Sequence, residues 1–118
     1  MKRILLYSFL LALVGCNEKK MSHTETAKAV AESFYQGDKE KLEKHTTAET
    51  YANFMTIQNL YSEDSEANFN VIQEQSDGQT AWVKFTTSFT DEPEIFKLIM
   101  EDGRWKVAER DEGEKIPF

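Results

Sequence analysis

Cys16 is the only cysteine of the 118-residue chain, and it directly follows Leu13-Val14-Gly15. A lone thiol directly behind an apolar run and a small residue reads as the end of an export leader, with its sulfur open to modification. The upstream residues agree with that reading. Lys2 and Arg3 give a positive start, and Ile4 to Val14 is apolar apart from Ser8, which is the layout of an export signal. The run is too short for a membrane-spanning helix, which takes about 20 apolar residues. A plain export signal would leave an unpaired thiol in an oxidising compartment; acylation accounts for the thiol and for the residues before it. The sequence therefore predicts a leader over residues 1–15, a lipidated Cys16 with a short polar tether through residue 21, and one domain over residues 22–118.

The other groups able to do chemistry are scattered. Glu109 is the acid expected on an otherwise apolar strand face, near a strand end, where reaching water or pairing with a helix residue is the simpler fate than general acid–base work. Tyr35, Tyr51 and Tyr61 can offer hydroxyls, although tyrosines beside apolar helix stripes usually pack with that hydroxyl satisfied. His23 lies where the tether meets the domain and is expected to be exposed. His45 closes a short helix, beside its last carbonyls. Neither histidine has a partner at metal-ligand spacing, so no metal is expected. The run Glu63-Asp64-x-Glu66 lacks the glycine and spacing of a calcium loop. No nucleophile motif, phosphate-cradling loop or dinucleotide fingerprint is present, and no cofactor is implied.

These residues need elements to position them. Ser22-His23-Thr24-Glu25 fits a capping box, and Ala27, Val30, Ala31 and Phe34 follow at helical spacing. Gly37 can stop that helix, and Asp38 can cap a second, short one carrying Leu42. Thr46-Thr47 opens a third, with Glu49 completing a second box. After residues 62–66 the period changes to two. Asp77-Gly78 and Asp102-Gly103 each read as a hairpin turn, of type I′ where both central residues take positive φ; at the first, a two- or a three-residue turn is open, and the choice shifts the pairing by one. Around the second turn, Glu101 pairs with Arg104, Met100 with Trp105 and Leu98 with Val107. One face then gathers Phe96, Leu98, Met100, Trp105 and Val107; the other carries Ile95, Lys97, Ile99, Lys106 and Ala108. In the preceding strand Ala81, Val83 and Phe85 point inward, which leaves Trp82 outside. The sum is an α+β domain, with three N-terminal helices packed on a four-stranded antiparallel sheet.

Composition excludes some partners. The chain has 14 basic and 21 acidic side chains. Without Lys2 and Arg3, 12 basic groups face 21 acidic ones, a balance of −9. Such a surface does not neutralise phosphates, so nucleic acid is not expected as a partner. A polybasic contact with anionic lipid is not expected either.

Several stretches carry a resemblance. They are Ala27-x-x-Val30-Ala31-x-x-Phe34-Tyr35-x-Gly37-Asp38, then Asp77-Gly78-x-Thr80-Ala81-x-Val83, then Asp102-Gly103-Arg104-Trp105-Lys106-Val107. In that order they resemble the small bacterial lipoprotein branch of the nuclear transport factor 2-like, or cystatin-like, superfamily, over roughly residues 22–110. Members of that branch include lumazine-binding-like domains and domains of unknown function. Leu13 to Cys16 is likewise similar to a bacterial lipobox, which implies cleavage before Cys16 and acylation of its sulfur. Asn17 stands where an aspartate would retain an enterobacterial lipoprotein in the inner membrane, which favours the outer membrane. The resemblance implies a curved sheet wrapped around helices as a cone with a pocket, whose lining here would be Tyr35, Tyr51, Phe85, Leu98, Trp105 and Glu109. On the outer face, Trp82 with Ile95 and Ile99 could form a homodimer seam or an envelope-partner site, unless Trp82 is a lone tryptophan under lysine stems. Fold alone does not give function. The leading expectation is a membrane-anchored, non-catalytic domain that binds a small apolar ligand or a protein. The alternatives are an isomerase or dehydratase using the cone and an acidic, immunity-like inhibitor.

Overall fold

A computed structural model describes residues 21–57 and 67–118. The leader, Cys16, the tether up to residue 20, Tyr61 and the acidic run 62–66 lie outside the described residues.

Helix α1 (His23–Gln36) begins at the expected capping box. The Ser22 hydroxyl accepts from the Glu25 amide at 3.1 Å, and the Glu25 carboxylate accepts from the Ser22 amide at 2.9 Å. It ends at Gly37, whose φ of 76° is the left-handed conformation that glycine adopts without a Cβ penalty. The buried stripe holds Ala27, Val30, Ala31 and Phe34, widened by Thr26, Ala29, Ser33 and Tyr35. Small side chains in the middle of the stripe let the helix lie close to the sheet.

Helix α2 (Lys39–Lys44) is capped by Asp38 and buries Leu42. Helix α3 (Ala48–Ile57) starts differently from the expected box. Thr47 is its cap, accepting from the Thr50 amide at 3.3 Å. The Thr46 hydroxyl instead donates to the Leu42 carbonyl at 2.8 Å and is buried, so Glu49 has no box partner there.

Strands β1 (Asn70–Ser76), β2 (Thr80–Thr86), β3 (Glu94–Glu101) and β4 (Arg104–Ala108) form one antiparallel sheet in sequence order. The second hairpin has the predicted register, with Asp102 at φ 54° and Gly103 at φ 78°. The first hairpin departs from expectation. Only Gly78 has positive φ, and Ser76 pairs with Ala81. The reason is the Asp77 carboxylate, which accepts from the Gln79 and Thr80 amides at 2.8 Å each and moves the turn on by one residue.

Ala81, Val83, Phe85, Leu98 and Val107 face the helices and form the core with the α1 stripe and Leu42. The free edge of β4 is covered rather than open. Val107 donates to the His45 carbonyl at 2.9 Å and accepts from the Thr47 amide at 3.0 Å, so the α2–α3 connection pairs with it. Strand β1, at the other edge, is exposed along its whole length and bulges between Val71 and Gln73.

Candidate functional site

Helix α1 places a polar cluster at each of its ends, and both clusters contain a glutamate from the sheet. At the C-terminal end, the Tyr35 hydroxyl donates to the Glu94 carboxylate at 3.2 Å. Tyr35 is 4% exposed, with Phe34 edge-on at 5.2 Å and Phe89 at 4.6 Å. Glu94 opens β3 opposite Phe85. Burial pushes its carboxyl above the ordinary carboxylate range, partly offset by the Tyr35 hydrogen bond. A carboxyl with a raised pKa beside a phenol can exchange a proton, so this pair has the elements of acid–base chemistry.

Sequence reasoning missed Glu94 and named Glu109 as the inward acid. The signal was available, because Glu94 has the same parity as Phe96 and Leu98 on β3. Glu109 itself is exposed, and its carboxylate accepts from the Asn53 amide of α3 at 2.6 Å. That is the helix pairing the sequence favoured over a meeting with a tyrosine.

At the N-terminal end, His23 Nε2 lies 2.5 Å from the Glu74 carboxylate of β1, and the Thr24 hydroxyl donates to the same oxygen at 2.9 Å. The imidazole meets Trp105 of β4 edge-on, at 5.6 Å between centroids. His23 is thus half-buried and engaged, not the exposed residue expected of a junction. The hydrogen bonds from Thr24 and His23 hold the Glu74 carboxyl below its ordinary range. His45, between α2 and α3, is shifted down by burial and then by Lys44, Lys41, Arg104 and Lys106.

A cleft of about 390 Å³ opens where β4 stops short of the β3 N-terminus. Its walls are Thr50 and Phe54 of α3, Trp82, Ile95 and Phe96 of the sheet, and Arg110 and Ile116 beyond β4. Of the lining residues expected from sequence, Glu109 reaches this cleft. Tyr35, Phe85 and Leu98 are core residues instead, and Tyr51 and Trp105 pack against that core, because the aromatic rings fill the space between α1 and the sheet. Phe85 stacks on Phe69 at 4.7 Å and meets Phe96 at 4.7 Å, and Phe96 meets Phe54 at 6.3 Å.

The outer face also needs correction. Trp82 is 8% exposed, so it is not the surface patch expected. In register beside it lie Gln75 and Lys97, and it shares the cleft with Ile95 and Ile116. Ile99 is half-buried, between Thr80 and Lys106 in register, away from the cleft lining. Among the described residues no cluster of side chains is arranged to hold a metal, and no helix is long and apolar enough to cross a membrane.

No protein-family profile matches the chain, and no curated protein matches it by sequence. Among solved structures, the chain is similar to a Campylobacter jejuni protein provisionally named an NTF2-like transpeptidase, solved at 2.00 Å. The TM-score is 0.63 at 9% identity, covering 76% of this chain and 100% of that one. At that identity the likeness shows the fold alone, helices followed by a four-stranded antiparallel sheet in the nuclear transport factor 2-like arrangement.

Proposed function

We propose that this chain is a lipid-anchored domain of the bacterial cell envelope, held to the membrane through acylated Cys16, and that it binds a ligand or partner without catalysing a reaction. The cleft beside Trp82 is the observation that carries the binding part. Its walls set Phe54, Trp82, Ile95, Phe96 and Ile116 beside polar side chains, of which three are engaged within the chain: Thr50 with Thr47, Glu109 with Asn53, Lys97 with Glu114. Aromatic and aliphatic walls beside a few placed polar groups suit recognition of a ligand. The anchor rests on Leu13 to Cys16 and the apolar leader before it. Several acyl chains give a durable hold, since each buried methylene adds about 0.8 kcal/mol. Outer-membrane placement follows from Asn17 and belongs to the same proposal, as do membership of the lipoprotein branch and the cone-like curvature of the sheet.

Native mass spectrometry of the protein extracted from its own membrane tests this reading. The expected species starts at Cys16, carries acyl mass and retains a bound ligand or partner. An unmodified chain, or an acylated one that brings nothing with it, would contradict the anchor or the binding role respectively.

One observation favours a second reading. Tyr35 and Glu94 form a hydroxyl–carboxyl pair with a raised carboxyl pKa, which suits an isomerase or dehydratase. The transpeptidase name of the structural neighbour points to an enzyme as well. A turnover screen on carbonyl substrates decides: activity abolished by Glu94→Gln would support an enzyme, and equal, background turnover would remove it.

A further inference from the structure

The residues after β4 return across the outer face of the sheet, and one amine carries their polar hold on it. The Lys97 side chain is 10% exposed although it faces away from the helices. Its Nζ lies 2.7 Å from the Glu114 carboxylate and 3.6 Å from that of Asp111. A turn through Gly113, at φ 80°, brings both acids to the same point. Glu114 donates its amide to the Asp111 carbonyl at 3.0 Å, and its carboxylate accepts the Asp111 amide at 3.0 Å. Two positions on, Ile116 joins Trp82 and Ile95 in the cleft. Trp82, Lys97 and Ala108 form one row across β2, β3 and β4, so amine and indole are neighbours on the floor beneath this segment.

We propose that residues 111–118 are a displaceable strap, a peptide bound in cis, and that the groove beneath it fits an extended peptide with a carboxylate two positions before an aliphatic residue. The carboxylate takes Lys97 and the aliphatic side chain takes the wall formed by Trp82 and Ile95. The pattern is the one the strap itself presents, Glu114 followed by Ile116. A strap covalently attached to the groove competes at an effective concentration of about millimolar. A peptide in trans therefore enters only when it binds better or when the strap's hold on Lys97 is weakened. The inference rests on the reading of this domain as a binding module and narrows it to peptide. Its failure would remove peptide as the occupant. The binding module itself falls only if the protein extracted from its membrane carries nothing.

The test uses the full chain with Trp105→Phe, which leaves Trp82 as the sole tryptophan of the two, and reads acrylamide quenching of Trp82 fluorescence. Glu114→Lys is expected to raise quenching severalfold with the circular dichroism of the sheet unchanged, and Lys97→Glu added to it is expected to restore shielding. Ile116→Ser, which leaves the ion pair, is expected to raise quenching less. The free octapeptide of residues 111–118, added to the Glu114→Lys protein, is expected to restore shielding. The same octapeptide carrying Glu114→Gln is expected to bind about tenfold more weakly, as loss of a charge-assisted hydrogen bond implies. Unchanged quenching in Glu114→Lys, loss of the sheet in both strap variants, or failure of the octapeptide to bind would each overturn the proposal.

Discussion

The two ends of α1 use the same parts and reach opposite electrostatic states. About 18 Å separate His23 from Tyr35 along the helix axis, at 1.5 Å rise per residue. At each end a helix side chain meets a glutamate of the sheet. Glu74 meets an imidazole and a threonine hydroxyl on the exposed edge strand, and its carboxyl is held below the ordinary range. Glu94 meets one phenol among aromatic rings, and burial drives its carboxyl above that range. The number of donors and the access of water, rather than residue type, set the direction in which each carboxyl shifts. The N-terminal end therefore favours the ionised carboxylate, and the C-terminal end disfavours it.

The largest difference should appear when each end is truncated. Tyr35→Ala removes a buried ring packed between Phe34 and Phe89, and is expected to cost about 3–5 kcal/mol in urea unfolding. His23→Ala removes a half-exposed contact and is expected to cost about 1 kcal/mol or less. Equal losses would erase the contrast between a packed end and a wet one.

Changing the acids sharpens the comparison through pH. A carboxyl with a raised folded pKa contributes stability that is fully present below its unfolded value, near 4.5, and is lost as pH rises through the folded value. Glu94→Gln removes that loss, so the variant should be more stable than the parent at pH 7 and gain nothing below pH 4.5. Glu74 runs the other way. Its contribution is present above 4.5 and is lost as pH falls through its lowered folded value. Glu74→Gln should cost about 0.5 kcal/mol at pH 7, as befits a partly exposed, screened pair, and nothing well below the folded value. Thermal melts of both variants between pH 2.5 and 8 check the two slopes, and parallel slopes would refute the assignment.

Legibility in the sequence followed the range of the interaction. The capping box at Ser22, the Gly37 stop, the α1 stripe and the second hairpin rest on contacts within a few residues, and all were read directly. The first hairpin was legible as a hairpin but not in its register, because the Asp77 side chain competes for the amides of its own turn, which the Asp-Gly pair does not reveal. Thr46 failed for a related reason: its hydroxyl bonds back to the preceding helix. The site was less legible. Glu94 has the right parity at the start of its strand, but its partner Tyr35 lies 59 residues away, and periodicity does not join them. Trp82 was placed on the correct face, yet nothing local indicates that Lys97 and the residues after β4 shield that face. Such shielding depends on a return of the chain from residue 97 to residue 114, and periodicity carries no information at that separation.

The most direct test is a carbon-13 NMR titration of the Glu74 and Glu94 side-chain carboxyls in the same folded sample. Glu94 is expected to show a midpoint above 4.5 and Glu74 one below it, with the Glu94 midpoint falling towards the ordinary value once the chain is unfolded. Coincident midpoints, or Glu74 titrating above Glu94, would contradict that expectation.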